Sequence, residues 1–304
     1  MSASFTSALL AAKEAAAGQY YPQNTLYVVA TPIGNLADIS LRALHLLGLA
    51  DTVACEDTRH TQTLLRAYGI DKHASQLLAL HQHNEEEAAQ IAIERLQSGQ
   101  RLAYVSDAGT PGISDPGARL VARVRQAGLR TIPLPGASSV TTLMSAAGVA
   151  SSGHAGGFVF VGFLPHKSAE RALAVAELAL QPYAVVLLEA PHRIEALAEA
   201  LKPLGERWLT IGRELTKQFE AINTLHANGF ADWLAESANH LKGEFTLVLH
   251  PAPASTAATP DPRILKLLLE QLPLKTAVKL AADITGAARN TLYAQALLLK
   301  NTEE

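Results

Sequence analysis

The sequence predicts an α/β protein built from two α/β domains and a small C-terminal helical module. Short runs of apolar and β-branched residues alternate with longer stretches of helical periodicity through most of the chain. In the first half of the chain the short runs are continuously apolar, which is typical of strands covered on both faces and therefore of a mostly parallel sheet. The chain has 304 residues, of which 48% are hydrophobic and 17% charged. This length and composition are sufficient for more than one hydrophobic core.

The first α/β domain is predicted over residues 25–136. Its strands are expected at residues 26–30, 52–55, 101–106 and 129–134, with helices between them. Residues 1–24 contain a short apolar stretch with no basic residue before it, which makes a poor secretory signal. We therefore expect residues 1–24 to form a flexible N-terminal arm.

The second α/β domain is predicted over residues 137–250. Its strands are expected at residues 158–164, 183–190, 207–212 and 244–250. Residues 251–262 are rich in Pro, Ala, Ser and Thr and break every periodicity, which indicates a linker. A small helical tail is expected over residues 263–304.

Four loops that follow predicted strands are rich in Gly, Ser, Thr and acidic residues. They are residues 31–40 (TPIGNLADIS), 55–61 (CEDTRHT), 107–117 (DAGTPGISDPG) and 135–139 (PGASS). Because the carboxyl ends of parallel strands meet at one edge of a sheet, we expect these loops to form a single ligand site. The first loop has neither the GxGxxG spacing of a dinucleotide site nor the GxxxxGK[ST] spacing of a phosphate loop. Two common classes of nucleotide site are therefore disfavoured.

The third loop has more special residues than a plain strand-to-helix turn requires. Gly109, Gly112 and Gly117 stand where the backbone can pass close to a ligand. The carboxylate of Asp107 can accept a hydrogen bond from an amine or hydroxyl, and Thr110 offers a hydroxyl group. The loop is therefore predicted to bind a ligand largely through its backbone.

Composition excludes several other functions. A net charge of −3 argues against wholesale coating of nucleic acid, so any such contact must be a local patch. Because Cys55 is the single cysteine, an internal disulfide is excluded, and a reducing compartment such as the cytoplasm is expected. The side chain of Cys55 is expected to pack as a small apolar group. No run of 18 apolar residues occurs, so no membrane span is expected. His81 and His83 lack an obvious set of further ligands, and we predict a polar loop contact there rather than a metal site.

Eight motifs carry a family resemblance: VVATPIGNLADISLRAL, EDTRHT, LHQHNE, VSDAGTPGISDPG, PLPG, GFLP, EAPHRI and GREL. In that order they resemble the bacterial 16S ribosomal RNA (cytidine-2′-O)-methyltransferase family, a branch of the tetrapyrrole methylase superfamily. The similarity runs from about Leu26 to Leu298. It implies two α/β domains of the tetrapyrrole methylase type that bind S-adenosylmethionine (AdoMet) in the cleft between them. It also implies a homodimer that methylates a cytidine ribose in the decoding centre of the small ribosomal subunit.

The resemblance implies roles for particular residues. Those implied to bind AdoMet are Pro32, Gly34, Asp107, Gly109, Thr110, Ser138, Ser139 and Leu188. Those expected to contact RNA are Arg59, His60, Arg193, Arg213, Lys275, Lys279 and Arg289, with His166, Lys167 and His192 beside the matched motifs. Residues 274–299 resemble the small helix-turn-helix-like module of the family, with Gly286 in its turn. The tail has an alternative role as a structural cap or dimer arm.

A base that takes the proton of the attacking hydroxyl is not singled out by the sequence. Glu56 and Asp57 are the candidates, with His81 or Glu214 as alternatives. Each also has a structural interpretation, such as a helix cap or a solvated charge pair.

Two other functions stay open at the level of sequence. The first is a methyltransferase that acts on a tetrapyrrole or another small molecule, which shares the cofactor loops but needs no basic helical tail. The second is a ribosome-binding module without catalysis, which AdoMet binding would exclude.

Overall fold

The N-terminal domain is built on a parallel five-stranded sheet. The structure is a computed structural model, and it describes residues 5–81, 83–113, 117–149, 157–179, 181–252 and 262–286 and residues 289, 292, 293, 296 and 299. The strands of the sheet are β1 (Thr25–Val29), β2 (Thr52–Cys55), β3 (Leu77–Ala79), β4 (Arg101–Val105) and β5 (Arg130–Leu134). Their spatial order is β3-β2-β4-β1-β5. The helices are α1 (Thr6–Ala16), α2 (Leu41–Leu49), α3 (Thr58–Ala67), α4 (Glu85–Gln97) and α5 (Gly117–Gln126).

Successive side chains of the central strands enter two different cores. Tyr27 and Val29 of β1 pack in the core formed with α1, α2 and α3. Leu26 of β1 and Tyr104 of β4 pack in the core formed with α4 and α5. Both faces of the sheet are therefore covered, which confirms the prediction of a mostly parallel sheet from continuously apolar strands.

Helix α1 packs on the domain instead of extending from it. Ala12 and Ala16 are buried, and they belong to the same core as Leu44 and Leu47 of α2. The ring of Phe5 lies 5.3 Å from that of Tyr68 in an edge-to-face arrangement. The alanine-rich segment has high helix propensity and an apolar stripe, and burying this stripe holds the helix in place. The prediction of a flexible arm is therefore wrong for residues 5–24, and residues 1–4 lie outside the described residues.

The C-terminal domain is built on a mixed five-stranded sheet. Its strands are β6 (Phe158–Gly162), β7 (Ala184–Glu189), β8 (Trp208–Arg213), β9 (Ala221–His226) and β10 (Phe245–Leu249), in the order β6-β7-β10-β8-β9. Only β6 and β7 are parallel among the paired strands described. The helices are α6 (Ser139–Ala146), α7 (Ser168–Ala179), α8 (Ile194–Leu201) and α9 (Phe230–Ala235). Two strands were not predicted from the sequence: β3, which is short, and β9, whose residues are only partly buried at the sheet edge.

The helical tail has a core of its own. Helices α10 (Pro262–Gln271) and α11 (Leu274–Thr285) bury Leu265, Val278 and Ala281 together with Leu292 and Ala296. Gly286 ends α11 in the left-handed conformation, with φ of 71°. Most of the predicted linker, residues 253–261, lies outside the described residues. In the part of the chain that is described, no helix has both the length and the apolar character needed to cross a membrane.

Lys72 supplies a buried ammonium group to the end of α2. Its Nζ atom donates hydrogen bonds to the carbonyl oxygens of Gly48, at 3.1 Å, and Ala50. Gly48 lies in the last turn of the helix and Ala50 is its C-cap, where a cation is favourable. Burial lowers the pKa of Lys72, and the nearby Asp51 carboxylate acts in the opposite direction.

Lys72→Met is expected to destabilise the N-terminal domain by about 1–3 kcal/mol, because two carbonyl groups lose their buried donor. Urea denaturation measures the effect as a lower midpoint. Lys202→Met is the matched control, since the ammonium of Lys202 reaches only the surface carboxylate of Glu199 at 2.8 Å. Equal midpoints for the two variants would contradict a capping role for Lys72.

Candidate active site

The cleft between the two domains encloses a cavity of about 450 Å³. One wall consists of the loops that follow β1, β2 and β4 and of the start of α6. The other wall consists of the segments after β6 and β7, the loop after β8, and the beginning of β10. The carboxyl edge of the parallel sheet therefore faces the second domain, as expected for a ligand site of this sheet type.

The loops of the N-terminal wall are bound to one another. The backbone N–H of Thr31 donates to the carbonyl of Gly109 at 2.9 Å, and that of Gly109 donates to the carbonyl of Thr31 at 3.0 Å. The hydroxyl of Thr31 donates to the carbonyl of Ser106 at 3.1 Å. The hydroxyl of Thr110 donates to the carbonyl of Ala137 at 3.0 Å. Hydrogen bonds thus join the described parts of the loops after β1, β4 and β5.

Most of the residues predicted to bind the cofactor line this cavity. They are Asp107, Gly109, Thr110, Ser138, Ser139 and Leu188. Pro32 and Gly34 are not among the lining residues, although Ile33 between them is. A Cβ atom at position 34 would overlap the side chain of Lys217. Gly34 therefore makes room for a lysine of the other domain.

Two further glycines of the predicted loops also serve packing. A Cβ atom at Gly117 would overlap the ring of Tyr104, and one at Gly136 would lie 2.8 Å from the Cβ atom of Ala30. Gly109, in contrast, has φ of 81° and lines the cavity. The expectation that these loops use glycine for close approach to a ligand therefore applies to Gly109, whereas Gly117 and Gly136 allow close contact within the protein.

Of the two base candidates, the structure brings Glu56 to the cavity and uses Asp57 elsewhere. Glu56 is a lining residue. Asp57 is the N-cap of α3, and its Oδ1 atom accepts hydrogen bonds from the backbone N–H groups of Arg59 at 2.8 Å and His60 at 3.3 Å. These bonds, with that from the Arg59 side chain, lower the pKa of Asp57. Asp57 is a helix cap and is not among the lining residues, so Glu56 is the better placed of the two candidates.

The two alternative bases lie away from the lining residues. His81 is exposed, and its backbone N–H donates to the side chain of Asn84 at 2.8 Å. Burial alone would raise the pKa of Glu214, but hydrogen bonds from Lys217 at 2.8 Å and from the backbone of Glu244 at 3.0 Å outweigh it and lower the pKa. Neither group is placed to take a proton inside the cavity.

The arginines predicted to contact RNA differ in how far their side chains are exposed to solvent or bound within the protein. Arg59 has a 92% exposed side chain at the start of α3, next to exposed His60. Arg193 instead turns inward, with Nε 3.1 Å from Glu189 Oε1 and Nη1 3.0 Å from His166 Nε2. Arg213 donates to the carbonyls of Lys242 and Phe219 at 3.3 and 3.1 Å. Arg193 is therefore engaged within the protein, and its contact with RNA stays a prediction.

The remaining predicted RNA contacts lie on the surface. Lys275 and Lys279 are exposed one turn apart on α11. Arg289 is exposed and lies 3.4 Å from Asp283. His166, Lys167 and His192 are exposed, and Lys167 pairs with Glu170 at 3.0 Å.

Several lining residues were not singled out from the sequence. They include Ile33, Ile113 and Phe163. Phe163 lies in the GFLP motif directly after a strand, and this position was the available signal.

Cys55 is buried, which raises its pKa to about 11 and keeps it a thiol. Among the described residues, no group of three His, Cys, Asp or Glu side chains is arranged to hold a metal ion.

The fold is shared with solved structures of other enzymes. Cobalt precorrin-4 methyltransferase superimposes with a TM-score of 0.56 at 17% identity over 76% of this chain and 98% of its own. Diphthine synthase superimposes with a TM-score of 0.55 at 17% identity over 74% of this chain and 90% of its own. At these identities the likeness establishes the fold alone.

Sequence comparison gives the family. Residues 25–229 match the family described as Tetrapyrrole (Corrin/Porphyrin) Methylases, and residues 254–300 match the RsmI C-terminal HTH domain. Ribosomal RNA small subunit methyltransferase I of Escherichia coli O157:H7 is 44% identical over 90% of this chain and 95% of its own length. The protein of that name from Neisseria meningitidis serogroup A is 45% identical over 91% and 94%.

The chain belongs to the tetrapyrrole methylase family, in the branch that contains these relatives. It is a methyltransferase, and AdoMet is its methyl donor. The family resemblance and the fold predicted from the sequence are thus confirmed.

Gly109→Val is expected to abolish AdoMet binding measured by calorimetry. The new side chain would enter the cavity wall, where even a Cβ atom lies 3.3 Å from Ile33. Gly128→Val is the matched control, because Gly128 has φ of 74° and no other atom lies within 4 Å of its Cβ position. Both variants carry a backbone cost of about 1–3 kcal/mol. The difference between their AdoMet affinities therefore measures the effect of the side chain in the cavity wall. Equal AdoMet affinities would contradict a cofactor role for this loop.

Proposed function

We propose that this protein transfers the methyl group of AdoMet to the 2′ hydroxyl of a cytidine in the decoding centre of 16S ribosomal RNA. The observation that carries the proposal is the cleft, whose hydrogen-bonded N-terminal wall brings Asp107, Gly109, Thr110 and two serines to one cavity. The relatives named ribosomal RNA small subunit methyltransferase I, which align over about nine-tenths of the chain, support an RNA substrate.

The charge of the cavity fits a cationic ligand. Four carboxylates line it, from Glu56, Asp107, Glu189 and Glu244, and no Lys, Arg or His side chain is among the lining residues described. Two of the four are ion-paired from outside the lining, Glu189 with Arg193 and Glu244 with Lys217, so Glu56 and Asp107 supply most of the negative charge. AdoMet has a positive sulfonium and a positive amino group, which such a surface favours. RNA, in contrast, is polyanionic and is expected to contact the protein outside this cavity.

The shape and polarity of the cavity also fit AdoMet. A volume of about 450 Å³ is within the range of pockets that hold small molecules. The backbone at residues 108–110 and the hydroxyls of Ser138 and Ser139 would hold the polar methionine part. Leu188, Leu215 and Phe245 offer apolar surface to the adenosine. When bound, AdoMet supplies a methyl group that is already activated for displacement by an oxygen.

Positioning accounts for most of the chemistry expected from this chain. Holding two reacting groups in line lowers the barrier by about 7–11 kcal/mol relative to their encounter in solution. A base that accepts the hydroxyl proton adds about 10² to 10⁴ in rate. Glu56 is the base that we propose, because it lines the cavity whereas Asp57 caps a helix.

We further propose that the protein acts as a homodimer in the cytoplasm. The single buried cysteine supports a reducing compartment, since the protein needs no disulfide. Light scattering of the purified chain tests the oligomeric state: a mass twice that of the chain is expected, and a monomer would contradict the proposal.

The proposed reaction predicts a single ribose methylation on small-subunit RNA. Subunits from cells that lack the protein are incubated with the purified chain and AdoMet, and 2′-O-methyl groups are mapped along the RNA. One new methyl group on a decoding-centre cytidine is expected. AdoMet binding without any RNA methylation would favour a small-molecule substrate instead, as in the cobalt precorrin-4 methyltransferase whose fold the chain shares.

The tail is proposed to contact RNA phosphates through Lys275 and Lys279, which are exposed on one face of α11. The double variant Lys275→Gln/Lys279→Gln should weaken RNA binding and leave AdoMet affinity unchanged. The slope of log affinity against log salt should become shallower by about 0.7–0.9 for each phosphate that the variant no longer neutralises. Lys202→Gln, a surface change in the C-terminal domain, is the control. An unchanged slope in the double variant would support a purely structural tail.

A further inference from the structure

The mouth of the cavity is defined by those lining residues that are also exposed. They are Asp107, Ala108 and Ile113 from the N-terminal domain and Phe163, Pro191 and Glu244 from the C-terminal domain. The side chain of Phe163 is 50% exposed, whereas Phe245, the other aromatic lining residue, is buried in the core. Phe163 therefore presents an aromatic ring at the entrance, and Ile113, 51% exposed, lies in the opposite wall.

An irregularity in β6 directs Phe163 to this position. Phe160 pairs with Val186 and Gly162 with Leu187, so one extra residue is inserted in β6 between them. Gly162 adopts the left-handed conformation, with φ of 74°. Such bulges re-aim the following side chain and are frequent beside active sites. A regular strand would give Phe163 a different direction.

The residue after Phe163 is anchored on its other side. Leu164 is buried in the core of the C-terminal domain, and its carbonyl accepts a hydrogen bond from Nη2 of Arg193. Arg193 is in turn held by the buried carboxylate of Glu189, 3.1 Å from its Nε atom. Glu189 itself lines the cavity. The backbone on both sides of Phe163 is thus held, by the bulge and by the buried ion pair, and a binding surface requires such support.

We infer that Phe163 stacks on the base of the nucleotide whose ribose is methylated, with Arg193 as the residue that positions it. The inference rests on the proposed function and identifies how the nucleotide is held. The 2′ oxygen must enter the cavity to reach the methyl group, so the base on the same ribose lies at the mouth. Unpaired bases are recognised by stacking on aromatic side chains, because every base has a flat π-face.

The test compares Phe163→Ala, Phe163→Leu and Phe163→Tyr in the full-length protein. The matched control is Phe219→Ala, which removes a 70% exposed ring of the same domain that is not a lining residue. AdoMet affinity is measured by calorimetry, and KM and kcat are measured with small subunits from cells that lack the protein. The Ala and Leu variants should raise KM for the subunits by about 5- to 150-fold, the effect expected from removing one base–aromatic stack. AdoMet affinity should not change, and Tyr should retain the wild-type KM.

Arg193→Lys tests the positioning role. It keeps a positive charge near Glu189 but removes the guanidinium that also reaches Leu164 and His166. KM for the subunits should rise with unchanged AdoMet affinity, and the double variant with Phe163→Ala should be no worse than Phe163→Ala alone. Fully additive effects on KM would overturn the positioning role.

Three outcomes would overturn the stacking role. Unchanged KM in Phe163→Ala would exclude contact with the substrate. A decrease in AdoMet affinity as large as the rise in KM would mean that the ring packs on the cofactor. Wild-type KM in Phe163→Leu would mean that only apolar volume matters. Wild-type protein that transfers no methyl group to the subunits would overturn the proposed function, and the inference with it, before any variant is compared.

Discussion

The architecture of the cleft depends on one pair of backbone hydrogen bonds, between Thr31 and Gly109. The two residues follow neighbouring central strands, β1 and β4, and their pairing extends the sheet into the loops. Gly109 meets this geometry with a left-handed backbone, which a residue with a side chain adopts only at a cost. The carbonyl of Ser106 accepts a further hydrogen bond from Thr31, and Thr110 connects the pair to the loop after β5. The N-terminal wall is therefore already ordered around the position that the cofactor is proposed to take.

Charge is separated between the cavity and the outer surface. The cavity is lined by carboxylates, and the cations near it are either exposed, as Arg59 is, or bound within the protein, as Arg193 is. An anionic cavity attracts a sulfonium and repels phosphates, which keeps the RNA backbone outside while a ribose enters. The exposed Lys275 and Lys279 lie on a helix with its own core, so the phosphate-binding function proposed for the tail is independent of the cavity wall.

The sequence predicted the sheet type, the shared edge and most of the lining loops, because these depend on local patterns. It did not predict what the glycines are for. Gly34, Gly117 and Gly136 occur in the same motifs as Gly109, yet the space beside them is filled by Lys217, Tyr104 and Ala30. A glycine indicates a close approach in the sequence, whereas the identity of the approaching group depends on residues far away in the chain. The docking of α1 and the pairing of β9 depend on distant partners in the same way.

The motifs GFLP and EAPHRI show how distant residues combine into one unit. The sequence alone predicts a separate loop for each motif and a surface position for Arg193. In the fold, Arg193 connects the two motifs by contacting both Glu189 and the Leu164 carbonyl. This contact holds the backbone directly after Phe163. Because burying an arginine requires a partner for its charge, Glu189 is needed for Arg193, as Arg193 is for the loop. Recognition of the nucleotide at the mouth would then rely on an aromatic face whose backbone is held, while the exposed cations contribute only attraction that salt can screen.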